Sequence, residues 1–278
     1  MVGVCIVRIA VVFRPKLSTL RWSLVLCAAI LAACANDKYD PTAKWSVDQL
    51  YQEAKDELAA GAYEKAIGYY EKLEGRAAGT PLAQQAQLDK AWGYFKNSEP
   101  VQAVATLDRF IKLHPASPAL DYALYLKGLV NFNDNLGFLS SLVGQDLAER
   151  DPKQAMDSFD AFKELVARFP DSKYVPDAKA RMAYIRNTLA RSDIYVARFY
   201  FNKGAYVAAV NRVQQVIQDF RDVPAVEEAL FLLYQSYDRL QLTQLRDDTR
   251  RVLEASFPDS VWLYPEKAPK KTSWWKFW

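Results

Sequence analysis

One histidine, three cysteines and three methionines are all that 278 residues offer to soft-metal or thiol chemistry. The histidine, His114, stands beside Pro115 at an expected helix end, so His/Cys metal sites and histidine-dependent nucleophilic triads lack parts. Its expected role is at the last carbonyls of that helix. All three cysteines (Cys5, Cys27, Cys34) fall in the first 34 residues, which leaves the body of the chain without an internal disulfide. Its stability must come from packing. The 33 carboxylates show no spacing that singles out a catalytic pair, and solvated helix faces account for them. No catalytic residue, metal or cofactor is expected.

The first residues are ordered like a secretory signal. Arg14, Lys16 and Arg21 precede an apolar core, Trp22 to Ile30, that is too short to span a membrane. It closes in Leu31-Ala32-Ala33-Cys34, a lipobox, in which small residues fit the signal peptidase and the alkylated cysteine becomes the new N-terminus. Cys27 fails the same test, because Leu24-Val25-Leu26 places bulk where a small residue is needed. Residues 1–33 are therefore expected to be removed, with Cys34 carrying N-palmitoyl and S-diacylglycerol groups. Each buried methylene contributes about 0.8 kcal/mol, so two or more chains anchor stably. Ala35 follows, not the aspartate that typically retains lipoproteins in the inner membrane, which points to the periplasmic face of the cell outer membrane. A second apolar run, Val2 to Phe13, broken only by Arg8, predicts a translation start downstream of Met1, at Val11, Val12 or Leu17. Loss of the signal takes away four basic residues and leaves 32 basic against 33 acidic side chains. The net charge of +3 thus belongs to the signal, and nucleic-acid binding gains no support.

After a tether over 34–44, Ser46-Val47-Asp48-Gln49 reads as a capping box, and helices dominate from there. They come in repeating pairs. A small residue in the first helix is followed twelve positions later by an alanine in the second: Ala54/Ala66, Ala91/Ala103, Ala197/Ala209. A larger residue four later (Tyr70, Leu107, Phe159, Val213) fills the space beside the crossing. Gly61-Ala62-Tyr63 and Gly204-Ala205-Tyr206 are the inter-helix turns. The pattern resembles the tetratricopeptide repeat. Second-helix alanines at 66, 103, 155 and 209, with Arg246 in the corresponding place of a degenerate fifth unit that keeps Leu230, Leu233, Tyr234 and Tyr237, predict an all-α fold. The expected architecture is an α-solenoid of about five helical hairpins over 45–262, followed by a basic aromatic tail over 263–278. Extra length falls in 133–151, read as a functional or mobile insertion, and in Pro176 to Lys203, read as one or two helices. Asp151-Pro152 is read as the start of the next helix.

A stacked array of this kind binds partners on its surface. Counting from Ala54 and Ala91 places Tyr51, Leu58, Leu88, Trp92 and Phe95 on or near a concave face, where with Lys55 and Lys96 they suit an extended peptide bearing aromatic side chains. The alternative is that they pack against the neighbouring repeat.

Together the lipobox, the tether, the repeats, the stretch Lys203-Gly204-Ala205-Tyr206-Val207-Ala208-Ala209-Val210-Asn211-Arg212-Val213, and Asp108 to Pro115 followed by Asp121-Tyr122 resemble the BamD family of the outer-membrane β-barrel assembly machine. That resemblance implies a scaffold without catalytic activity, with three kinds of partner. C-terminal repeats dock on the POTRA region of BamA within a complex of other lipoproteins, N-terminal repeats receive unfolded outer-membrane β-barrel proteins, and the lipid holds the outer membrane. It makes Tyr200, Lys203, Asn211 and Arg212 the BamA-facing residues, and Tyr51, Lys55, Trp92 and Phe95 the client-binding residues. For Arg212 a bidentate grip on a partner carboxylate competes with a local salt bridge. Two departures stand out: Gly75 to Pro81 lacks the aromatic-proline corner seen at Phe169-Pro170, and Lys270 to Trp278 interleaves lysines with tryptophans, as suits an anionic membrane interface or a partner groove. Another periplasmic repeat lipoprotein, a secretin pilotin or a peptidoglycan-synthesis coordinator, is the alternative function. A lytic transglycosylase has no room for its catalytic domain.

Overall fold

The computed structural model describes residues 40–132 and 152–267. The signal, Cys34, the 133–151 insertion and the lysine-tryptophan segment beyond Lys267 lie outside the described residues. Residues 40–46 form a turn in which the Asp40 carboxylate accepts from Thr42 N (3.0 Å) and Thr42 Oγ1 (2.7 Å).

From Val47 onward the described residues form helices and no strand: α1 (Val47–Ala59), α2 (Tyr63–Arg76), α3 (Pro81–Lys96), α4 (Pro100–Leu113), α5 (Leu120–Asn131), α6 (Pro152–Arg168), α7 (Val175–Asn202), α8 (Tyr206–Asp219), α9 (Val226–Arg239) and α10 (Thr243–Ser256), then a single 3-10 turn (Pro265–Lys267). Each helix packs against the one before it, so the chain is an all-α array of hairpins, α1/α2 through α9/α10. The small residues sit where the pairs cross. Ala54, Ala66, Ala91, Ala103, Ala197 and Ala209 are all fully buried, and Tyr70, Leu107 and Val213 fill the space beside them with no exposure.

Four of the hairpins turn in one way. The residue two before the second helix takes a left-handed conformation: Gly61 (φ 80°), Ser98 (φ 62°), Gly204 (φ 77°) and Gln241 (φ 59°). The next residue's amide then reaches back to a carbonyl in the last turn of the first helix, as Ala62 N to Glu57 O (2.9 Å), Glu99 N to Tyr94 O (2.9 Å), Ala205 N to Tyr200 O (3.0 Å) and Leu242 N to Tyr237 O (3.0 Å). This closes orphan carbonyls that a helix end otherwise leaves open. Two of the four positions carry the glycine that such a φ favours.

The third hairpin corrects the expected register. Ala155 and Phe159 are only partly buried, whereas Ser158, Phe162 and Leu165 are fully buried and hold the positions of Ala66, Tyr70 and Leu73 in the first hairpin, counted back from the helix end. Helix α6 starts three residues earlier relative to its core, and Ala155-x3-Phe159 copies the motif one turn too soon. The small partner on α5 is Gly128, whose carbonyl accepts from Ser158 Oγ at 2.8 Å. Arg246 does occupy the fourth place of α10, as Ala66, Ala103 and Ala209 do in their helices, but it is half-buried and pairs with Asp238 and Asp247.

Pro176 to Lys203 lies within one helix and its cap, α7, of 28 residues. Its first half (Ala178, Ile185) belongs to a core with Leu124, Phe162 and Leu165, its second half (Ala190, Ile194, Ala197) to a core with Val213, Val216, Leu230 and Leu233. A further core under α3, α4 and α5 holds Leu88, Ala103, Leu107 and Phe110.

Corners between hairpins also repeat. His114, Phe169 and Phe257 each precede a proline and accept, through their carbonyls, the amide of a serine three on: Ser117, Ser172 and Ser260 at 3.0 Å each. His114 therefore stands where the other corners have phenylalanine, its ring 5.0 Å from that of Phe110. Ser117 and Ser172 donate onward to Gln84 of α3 (2.9 Å) and Asp121 of α5 (2.7 Å), locking each corner to the first helix of the hairpin it leaves.

Candidate binding surfaces

The residues expected to meet a client fall on α1 and α3, in two pairs. Tyr51 donates its hydroxyl to Asp89 Oδ2 (3.1 Å), and Lys55 Nζ lies 5.7 Å from the Tyr51 ring centre. One turn beyond Asp89 on α3, Trp92 and Phe95 have ring centres 5.6 Å apart, with Lys96 Nζ 5.6 Å from the Trp92 ring. Tyr51, Trp92 and Phe95 are half-buried and Lys55 is exposed, so each ring keeps part of its surface open. Leu88, by contrast, is 1% exposed and belongs to the core, and Leu58 is half-buried against the Gly93 crossing.

Asp89 organises this area. It is partly buried and also accepts from Gln85 Nε2 (2.9 Å). Burial raises its pKa above the usual carboxylate range, against the opposing pull of the Gln85 and Tyr51 hydrogen bonds and the Lys55 charge. Burial first, then the Asp89 charge and hydrogen bond, push the Tyr51 hydroxyl up to about 12. The row continues along the first helices. Tyr125 of α5 stacks on Tyr174 (4.6 Å, 16° between planes) and donates to Asp177 of α7 (2.8 Å). Asp177 also accepts from Arg181 Nε at 2.7 Å, and that guanidinium lies 4.6 Å from the Phe132 ring. Asp89, Tyr125, Tyr174 and Asp177 were not among the expected site residues. A carboxylate facing a tyrosine 38 or 52 residues away leaves no mark on local spacing.

The second group sits on α7 and α8. Phe199 (54% exposed) and Tyr200 (36%) present adjacent rings with centres 5.9 Å apart, and Lys203 Nζ lies 5.7 Å from the Phe199 ring. Asn211 is exposed on α8. Beside it Arg212 Nη1 meets Asp193 Oδ1 at 3.3 Å, both side chains being about a third exposed (37% and 35%). Burial raises the Asp193 pKa, and the Arg212 charge opposes that rise. This single, long contact leaves the planar fork of Arg212 far from its best use. Phe199 joins the expected residues here. Its exposure could not be read from a helix whose length was itself open.

No described helix is long and apolar enough to cross a membrane. Among the described residues no group of three or more His, Cys, Asp or Glu is placed to hold a metal ion. A family model described as "YfiO: Outer membrane lipoprotein" matches residues 43–253. The chain is 44% identical to the outer membrane protein assembly factor BamD of Neisseria gonorrhoeae over 265 residues, covering 95% of this chain and 99% of that protein. It is 34% identical to the protein of the same name from Haemophilus influenzae, covering 84% of this chain and 89% of that one. The crystal structure of MamA aligns with 82% of this chain and 96% of its own at a TM-score of 0.33 and 16% identity, a likeness too loose to bear on fold or function. On the family model and the two assembly factors, the chain belongs to the YfiO family of outer membrane lipoproteins, the family of BamD.

Proposed function

We propose that the protein is a lipid-anchored scaffold of outer-membrane protein assembly that works by binding, with no catalytic step. The observation that carries this reading is its 44% identity, over 95% of the chain, to an outer membrane protein assembly factor. In it, lipidated Cys34 holds the hairpin array at the periplasmic face of the outer membrane. The α7–α8 group, Tyr200, Lys203, Asn211 and Arg212, faces the POTRA region of BamA, in a complex that includes other BAM lipoproteins. The α1–α3 group, Tyr51, Lys55, Trp92 and Phe95, receives unfolded β-barrel clients.

Physical chemistry supports the division. A singly bonded ion pair with both partners about a third exposed, such as Arg212–Asp193, is worth little in solution. Exchanging it for a bidentate partner carboxylate in a desolvated interface therefore sacrifices little and gains a directional contact, flanked by exposed aromatic rings. On α1 and α3, half-buried rings beside lysines offer an aromatic segment of extended chain both ring contact and a cation.

Affinity purification of the tagged protein from solubilised outer membranes tests the reading. BamA is expected in the eluate, and its consistent absence overturns the proposal. Arg212→Glu is expected to reduce BamA recovery several-fold with unchanged helix content. Asp193→Asn, which removes the internal partner but keeps the guanidinium, is expected to preserve recovery.

A further inference from the structure

Helix α3 carries two polar residues that are almost wholly buried: Lys90 is 7% exposed and Gln87 9%. Residues two apart lie roughly 160° apart around a helix, and residues three apart share a side. Gln87 and Lys90 are therefore turned away from Asp89 and Trp92, towards α2 and α4. Lys90 Nζ meets Glu74 Oε2 of α2 at 2.6 Å, with side chains only 9% and 14% exposed. Together with Ala105, Thr106 and Arg109 of α4, these three residues line a pocket of about 190 Å³.

The chain leaves this pocket chemically incomplete. Gln87 Oε1 is buried and accepts no hydrogen bond, a state that costs stability. The Thr106 hydroxyl is already donated to the Gln102 carbonyl (2.8 Å) and supplies nothing. Arg109, exposed at the rim, makes no ion pair among the described residues.

The charges select what can enter. A carboxylate or phosphate would meet the Glu74 carboxylate and a second acceptor in Gln87, neither of which it can satisfy. An ammonium or guanidinium would satisfy the acceptors but meet the positive charges of Lys90 and Arg109. A neutral group with both N–H and C=O fits, which is the inventory of a carboxamide. Such a group also suits Gln87 after a half-turn of its own amide, which exchanges acceptor for donor. Sites for free small molecules run to about 300–1,000 Å³, so this space takes the tip of a side chain and leaves the rest of its owner outside. The α4 rim permits that approach, because Ala105 presents a single methyl group and Val101, one turn before it, is 77% exposed.

We propose that this pocket receives the primary carboxamide of an asparagine or glutamine side chain from a partner polypeptide lying on α4. Its N–H groups reach Glu74 and the Gln87 amide, which turns towards it, and its carbonyl accepts from Arg109. Lys90 stays with Glu74. The inference does not rest on either face assigned above.

The test is a nuclear magnetic resonance titration of the mature chain carrying Cys34→Ser, which removes the lipid, with alanine methyl groups labelled so that Ala105 reports on the pocket. Acetamide, N-methylacetamide, acetate and methylammonium are the probes. Acetamide is expected to shift the Ala105 signal saturably and to bind more tightly than the other three. Arg109→Ala, at the exposed rim, is expected to weaken acetamide several-fold with the urea midpoint unmoved. Gln87→Leu keeps the bulk and removes the unpartnered oxygen, so acetamide is expected to bind about tenfold more weakly while the urea midpoint stays equal or rises. A lower midpoint for Gln87→Leu would mean that the free protein already satisfies that oxygen, and it overturns the proposal. Tighter binding of acetate or methylammonium, or no saturable shift, does the same. Tighter binding of N-methylacetamide gives the pocket to a partner's main-chain amide and overturns the side-chain assignment.

Discussion

At Gly128 a single methyl group decides whether α5 and α6 can meet. A Cβ there would lie 2.6 Å from Phe162 Cδ1 and 2.7 Å from Cζ, deep inside van der Waals contact. Phe162 is fully buried between Leu124 and Leu165, so its ring has nowhere to go. Gly128→Ala is expected to destabilise the fold by about 1–3 kcal/mol, read from urea unfolding followed by circular dichroism. Phe162→Leu in the same chain should recover part of that loss, whereas two independent effects would simply add. The same crossing shows why residue identity alone misplaced the third hairpin. Ala54, Ala66, Ala91 and Ala103 announce their role because alanine is small and the spacing is regular. At the α5–α6 crossing the small pair is Gly128 and Ser158, and a hydroxyl bonded to a carbonyl replaces a methyl. Ala155 nearby is a better match to the pattern and lies on the wrong turn.

At the scale of the element, the hairpin turns are built on one backbone conformation that the sequence marks only half the time. Glycine at 61 and 204 announces the turn, while Ser98 and Gln241 adopt the same left-handed φ without its advantage. A left-handed conformation costs a residue with a Cβ about 1–2 kcal/mol, and glycine gives back part of that in unfolded-state entropy. Ser98→Gly and Gln241→Gly are therefore each expected to stabilise the protein by about 0.5–1 kcal/mol, seen as a higher urea midpoint with an unchanged slope. Gly204→Ala should move the midpoint the other way. Equal midpoints for all three would mean that the turn tolerates side chains freely. Helix α7 shows the opposite kind of legibility. Its sequence between Val175 and Asn202 has no breaker after Pro176, which sits in the first turn where its missing amide is no loss, and the helix runs unbroken for that reason.

At the scale of the whole molecule α7 is the link to the last two hairpins, because it joins the core of the third hairpin to theirs, as α5 joins that core to the one under α3 and α4. Between Ile185, in the core of the third hairpin, and Ala190, in the core of the last two, half-buried Leu189 packs against the first of these cores and polar contacts tie the helix to the corner ahead of α9. Arg186 Nη1 and Nη2 grip the two oxygens of Asp222 at 2.8 Å each, and Asn187 Oδ1 accepts from the amide of Ala225, at the start of α9, at 3.0 Å. Asp222 is largely exposed, so the ion pair contributes mostly geometry. The bond to Ala225 satisfies a backbone donor at a helix start and is worth about 1 kcal/mol. In a linear array, stability is a sum of repeat terms and nearest-neighbour terms, so weakening one junction separates the units on either side instead of melting both. The double substitution Arg186→Ala and Asn187→Ala is therefore expected to lower the opening free energy of α8, α9 and α10 in native-state hydrogen exchange. The amides of α1 to α5 should keep their protection, and the urea transition should broaden with a reduced slope. A uniform loss of protection across all hairpins would instead make the array one cooperative unit. The α7–α8 face assigned to BamA would then be coupled to the α1–α3 face assigned to clients through global stability, and a partner at one end would alter the other without any local change between them.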